Sequence, residues 1–296
     1  MAVNTYALCS LVGLKAHLGI TVSTDDTILE GYIDSASSRI EDFIGYRVLQ
    51  RNYSEWYGGS GNRTIKLRNF PINLVTAVYT GMTAAITVSS STSTDIQATI
   101  SVNPEPQGGV SQGLLSPNLT VVNTTLLGVS TTSERAYSTY PYTSSLATNI
   151  DGITGFNATL VQNMKSSQLH PRAGADALQS TVTLTGANVA CEFAYDSRTG
   201  TVTIREDRMI LSQDWDSRFP YQPLSTLVEY SAGYATVPDS IRQCALEESA
   251  LMFLSRRVDD SLQSESIGDY SYSRSGADRS QRVRLESALA DWREIR

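Results

Sequence analysis

Apolar side chains recur at helical spacing near both ends of the chain and at strand spacing in the first part of the interval between. Residues 6–18 carry Leu8, Leu11, Leu14 or Lys15, and Leu18 at helical spacing and stop at Gly19, which predicts a short helix. A second helix is predicted from Ser23 or Thr24 as cap, with Asp25 and Asp26 in its first turn. Its stripe of Leu29, Ile33, Ala36, Ile40 and Phe43 steps four, three, four, three, so one face meets a partner helix, and Gly45 ends it. The third helix follows Pro238, whose missing N–H suits a first turn. Asp239 stands at its positive end and Arg256 and Arg257 at its negative end. Ile241, Cys244, Ala245, Leu251, Met252 and Leu254 predict a wide apolar face that other parts of the chain must cover. A final helix spans about 279–295, with Leu285, Leu289 and Trp292 in step.

Between these ends the pattern is β. Residues 47–57 read as a strand, Gly58-Gly59-Ser60-Gly61-Asn62 as a turn, and 64–68 as the returning strand of a hairpin. Residues 74–79 make a third strand. From Gly81 to about Tyr142 the chain is rich in Ser, Thr, Val, Ile, Asn and Gly, which is strand and loop material. Residues 149–225 are mixed: a short helix is expected at 157–167 and a hairpin at 189–195 and 201–205. Leu227, Val228 and Tyr230 form a last strand that Gly233 breaks. Residues 259–277 are polar with little to bury and read as extended, or ordered only on a partner. The expected class is α+β: a helical bundle core formed by the N- and C-terminal parts, with a β-hairpin and a β-rich inserted domain. The expected division is 1–80 with 226–260 as helical core, 81–225 as insertion, and 261–296 as a C-terminal arm and helix.

Composition narrows the function. The chain has 296 residues, of which 41% are apolar, enough for one large domain or two modest ones and against wholesale disorder. No run reaches the ~18 uncharged apolar residues that span a bilayer, so no membrane is expected as partner, and no secretory signal is visible. Cys9, Cys191 and Cys244 are odd in number and far apart, neither a disulfide framework nor a metal site. A net charge of -7 argues against a surface that grips nucleic acid, and suits one past which nucleic acid slides.

Catalytic signals are thin. His17 and His170 lie in no nucleophile motif, and Gly58-Gly59-Ser60-Gly61 lacks the Lys-Ser/Thr of a phosphate loop. Asp214-Trp215-Asp216 is a carboxylate pair without a third ligand at a telling spacing. No enzyme, metal or cofactor is expected. A polymer hydrolase using Asp214 and Asp216 is the weakest of three readings.

Two sets of residues resemble the head–tail connector (adaptor) proteins of tailed bacteriophages. The first runs from Leu14-Lys15-Ala16-His17-Leu18-Gly19-Ile20 through Asp25-Asp26 and Ile33-Asp34-Ser35-Ala36 to Ile40-Glu41-Asp42-Phe43-Ile44-Gly45-Tyr46-Arg47-Val48-Leu49. The second comprises Tyr230-Ser231-Ala232-Gly233-Tyr234, Val237-Pro238, Ile241-Arg242-Gln243-Cys244-Ala245, Arg256-Arg257 and Glu265-Ser266-Ile267-Gly268-Asp269-Tyr270-Ser271. Together these parts cover about half of the chain. Short members run almost directly from the third strand to the Tyr-x-x-Gly-Tyr element; here roughly 81–225 intervene, as in longer members.

The resemblance implies a structural virion protein, assembled in the host cytoplasm and located in the neck. It implies a homo-oligomeric ring, commonly of twelve copies, that binds the portal protein on one side and the next neck or tail-completion protein on the other. DNA would pass through the lumen without sequence-specific binding. In such proteins the carboxy-terminal segment often reaches the portal, which here is about 262–296. The candidate docking residues are then Ile267, Tyr270, Tyr272, Arg274, Arg279, Arg282, Leu285, Leu289 and Trp292. Tyrosine brings large contact area at low entropy cost, and the arginines suit an acidic surface. The alternative is a β-rich binding or decoration module of the virion carried by the insertion.

Overall fold

The computed structural model describes the chain except residues 1–2, 60, 91–94, 105–117, 126, 179, 205–217, 222, 257–263, 268–269, 274–276 and 294–296; for 95, 264–267, 270–273, 277–282 and 285 it describes the backbone alone. The chain begins α1 (Leu11–Leu18), α2 (Asp26–Ile44), β1 (Arg51–Tyr57), β2 (Thr64–Lys66), β3 (Ile72–Thr80), β4 (Thr83–Ser90), β5 (Asp95–Asn103), β6 (Asn118–Thr125) and β7 (Ser130–Ala136). It continues α3 (Thr143–Asp151), β8 (Phe156–Leu160), β9 (Arg172–Asp176), β10 (Val182–Gly186), β11 (Val189–Ala190), β12 (Phe193–Asp196), β13 (Thr201–Ile204) and β14 (Thr226–Ala232). It closes with α4 (Asp239–Ser255), β15 (Ser264–Ile267), β16 (Tyr270–Ser273) and α5 (Ala277–Ala290).

Two compact units result: residues 1–51 with 233–296, and residues 52–232. In the first, α1, α2, α4 and α5 pack on one another. The stripe read from α2 is buried at Leu29, Ile33, Ala36 and Ile40. Ser10 caps α1 by accepting from the Gly13 N–H at 3.1 Å, so the start predicted at residue 6 lies instead at Leu11.

The second unit is built from sheets. β7-β6-β5-β9 and β10-β4-β8 face one core in which Ile86, Val88, Ile100, Val102, Leu119, Val121 and Leu184 meet α3 through Leu146 and Ile150. A second core gathers Leu67, Val75, Val78, Val202, Phe219, Val228 and Tyr230 between β1-β14-β3-β11 and β12-β13-β2.

The fold is therefore mainly β, with strand outweighing helix among the described residues. This overturns the expected α+β class with a helical bundle as its core. The sheets of residues 52–232 bury their own apolar faces and form the larger unit, so they are not an accessory to the helices.

The expected hairpin of 47–57 and 64–68 is also absent. β1 pairs with β14, and β2 pairs with β13 in the register Ile65↔Val202. The glycine turn between them is held from elsewhere: the Phe219 N–H donates to the Asn62 carbonyl at 2.9 Å, and a Cβ on Gly59 would sit 1.7 Å from the Pro220 oxygen. Strands returning from far along the chain thus take the edges that a local hairpin would have used.

The short helix expected at 157–167 is instead β8 followed by a 3-10 turn at Ser166–Gln168. The helix in this region lies earlier, as α3. The hairpin expected around 196–200 is β12 and β13, paired from Phe193↔Ile204 to Asp196↔Thr201.

Candidate partner-binding site

The helical unit is clamped by buried ionic contacts. Glu41, only 3% exposed on α2, accepts from Arg47 on Oε2 at 2.8 Å and from the Val48 N–H on Oε1 at 3.0 Å, and Oε1 also lies 3.6 Å from Arg51. Arg51 stacks over the Tyr6 ring at 3.8 Å. One carboxylate therefore ties the end of α2 to the chain that leaves it and to the N-terminal segment. Asp25 and Asp26, expected as helix-start charges, also make ion pairs, Asp25 with Arg256 at 3.2 Å and Asp26 with Lys15 at 2.7 Å.

The α4 face is narrower than expected. Ile241, Cys244, Ala245, Glu248, Ser249 and Phe253 are buried, whereas Leu254 is 59% exposed. The reason is periodicity: Leu254 lies one residue past Phe253, about 100° around the helix. Glu248 is tolerated inside because Arg39 of α2 donates to it at 2.7 Å.

The candidate docking residues divide by position. Ile267, Tyr270 and Tyr272 fall on the β15–β16 hairpin, where Ile267 pairs with Tyr270 and Glu265 with Tyr272. That register puts the four residues on one face of the ribbon. Arg279, Arg282 and Leu285 lie on α5, and Arg274 lies outside the described residues. Leu289 and Trp292 are occupied within the chain. Leu289 is 4% exposed, and the Trp292 ring stands edge-on to Tyr234 at 6.0 Å. Arg293 sits 5.5 Å over the Phe43 ring. On α5, Val283, Arg284, Glu286 and Ser287 are exposed.

Between α2, α4 and α5 lies a cavity of about 450 Å³. Ile40, Phe43, Cys244 and Leu289 form its apolar part. Arg39, Glu248, Asp42 and Glu286 are its charged lining. Burial first, then the charge of Glu247, pushes the Cys244 thiol up, so it stays protonated at neutral pH.

His17 is exposed on α1. His170 packs on Trp56 at 4.9 Å with Nδ1 3.2 Å from the Thr185 hydroxyl, and burial lowers its pKa. Asp214 and Asp216 lie outside the described residues. Among the described residues no group of three His, Cys, Asp or Glu side chains is placed to hold a metal ion.

A further polar cluster in residues 52–232 escaped the sequence reading. Glu55, 3% exposed, accepts from the Tyr57 hydroxyl, from Tyr230 at 2.7 Å and from Asn69 at 3.4 Å. The two hydroxyls are 3.2 Å apart, and Tyr57 accepts from the Arg68 N–H at 3.1 Å. Burial raises both tyrosine pKa values well above the ordinary range, with the Glu55 charge adding to it. The only signal was a carboxylate within the aromatic run Tyr53-Ser54-Glu55-Trp56-Tyr57.

Comparison with known proteins gives one family match. Residues 9–105 match the family described as phage gp6-like head-tail connector protein. No curated protein matches the chain. Among solved structures, it is similar to a chain of the neck of an empty gene transfer agent (GTA) particle, at 12% identity and a TM-score of 0.41, covering 100% of this chain and 95% of that one. It is also similar to a chain of the virion of a native GTA particle, at 13% identity and a TM-score of 0.35, covering 100% and 94%.

Proposed function

We propose that this chain, which has a head–tail connector region over residues 9–105, is a structural protein of a virion neck. In this reading copies close into a ring, commonly of twelve, between the portal and the next neck or tail protein, and DNA leaves through the lumen. The family match carries the proposal. An acidic chain of net charge -7 suits a channel that DNA must traverse without sticking. Head-to-tail interfaces that close are the ordinary route to such rings. The reading assigns no catalysis to the chain; the matched family is one of structural connectors.

In the same reading the portal contact is made by Ile267, Tyr270 and Tyr272 of the ribbon together with Arg274, Arg279, Arg282 and Leu285. Leu289 and Trp292 then anchor α5 to its own subunit rather than meeting the portal directly. In sequence, residues 81–225 are the insertion between the connector parts 1–80 and 226–260.

Imaging of purified particles tests the ring: density for this chain as a closed ring under the portal is the expected result, and its placement elsewhere overturns the neck assignment. For the docking face, Tyr270→Ala with Tyr272→Ala should leave the purified chain folded while abolishing its attachment to portal-bearing capsids. Normal attachment by that variant rules the face out.

A further inference from the structure

We propose that the cavity between α2, α4 and α5 is a receptor for a peptide segment of another protein, one that presents a lysine or arginine beside a leucine-sized apolar side chain. The proposal rests on this cavity alone and stands apart from the ring and from the tyrosine ribbon.

Size comes first. About 450 Å³ falls within the ~300–1,000 Å³ of pockets that enclose ligands, and far exceeds the gaps of an ordinary core. Chemistry comes next. Ile40, Cys244 and Leu289 are buried and make an apolar floor with Phe43. Arg39 and Glu248 neutralise each other at 2.7 Å. Asp42 from the α2 wall and Glu286 from the α5 wall have no ion pair among the described residues, and both are exposed. Among the described side chains, Arg293 is held over the Phe43 ring. Among the described residues the opening thus carries two carboxylates without an ion pair over an apolar floor. A cationic head with an apolar neighbour satisfies both, the head against the carboxylates and the neighbour against Ile40 and Leu289. An acidic or purely polar segment satisfies neither.

The test uses the full chain and a fluorescein-labelled twelve-residue peptide of repeated Leu-Ala-Arg. Two control peptides replace its arginines by glutamates or its leucines by serines. Anisotropy titration should give saturable binding of the first peptide, at least tenfold weaker binding of each control, and at least tenfold weaker binding to Asp42→Lys with Glu286→Lys. Glu134→Lys with Asp239→Lys changes the net charge equally at two other exposed positions and should leave binding within twofold. Circular dichroism melts verify that the charge variants are folded; Glu286→Lys alone, on an exposed position, replaces the double variant if that one melts early. Unsaturable binding, equal binding of the control peptides, or an equal loss with the remote pair overturns the proposal. So does sedimentation showing that Asp42→Lys with Glu286→Lys breaks up a self-associated form, because the occupant would then be a second copy of this chain.

Discussion

Arg47 donates to Glu41 at 2.8 Å across the end of α2, with both side chains largely out of solvent. The same carboxylate takes the Val48 N–H and lies 3.6 Å from Arg51, so its removal takes an acceptor from Arg47 and from a backbone donor and a counter-charge from Arg51. Glu41→Ala is expected to destabilise the protein by about 3–5 kcal/mol, the range for removing one partner of a buried ion pair. Glu41→Gln, which keeps the shape and one acceptor, should cost less. Urea denaturation of the two variants against the parent measures both; equal and small losses would show that the contact is dispensable.

Gly233 has φ +106, and a Cβ there would lie 2.7 Å from the Leu49 carbonyl carbon and oxygen. The strained backbone and the collision act together, since Leu49 and Tyr234 are bridged at this point. Gly233→Ala should cost at least about 2 kcal/mol. A thermal melt indistinguishable from the parent's would contradict that.

Tyr230→Phe removes one donor from Glu55 but leaves the ring in the second β core. The expected loss is about 1–3 kcal/mol, the penalty of leaving a buried acceptor short of a partner. Tyr53→Phe is the comparison. Its ring stacks on Tyr230 at 5.1 Å without supplying a hydrogen bond to Glu55, so it should cost less.

The direction of pH dependence follows from the same groups. Tyr57 and Tyr230 have folded pKa values raised above the ordinary 10.0, so the unfolded chain releases these protons first as pH rises. Their contribution to stability is intact below about pH 10 and falls as pH climbs beyond it. His170 is shifted the other way, below its ordinary 6.5, so the unfolded chain takes up that proton first on acidification. Its contribution is intact above about pH 6.5 and falls with pH below that value. Chemical denaturation from pH 5 to 11 reads both limbs. His170→Gln should flatten the acid limb and leave the alkaline one.

The helices near the two ends were the legible part of this sequence, whereas α3 was missed and the helix expected at 157–167 is β8 and a 3-10 turn. The 3.6-residue stripe of Leu29, Ile33, Ala36 and Ile40, the stop at Gly45 and the start after Pro238 all stand where local pattern put them. The edges of those patterns were less secure. Leu254 belongs to the apolar composition of α4 yet faces solvent, because composition does not record phase. The resemblance to connectors was legible for the same reason as the helices: it rests on short contiguous runs, and the matched region 9–105 holds the first of them.

What the chain wrote into its own order is the set of locally determined elements, since capping, turn chemistry and periodicity act within a few residues. Only the tertiary structure decided which strands pair. β1 with β14 and β2 with β13 join residues far apart in sequence, and any strand of suitable alternation offers the same unpaired donors and acceptors. Glu41, Glu55, Glu248 and the charged cavity at Asp42 and Glu286 belong to that second class. A carboxylate looks alike in sequence whether water or an arginine meets it, and its role is set when distant segments close around it.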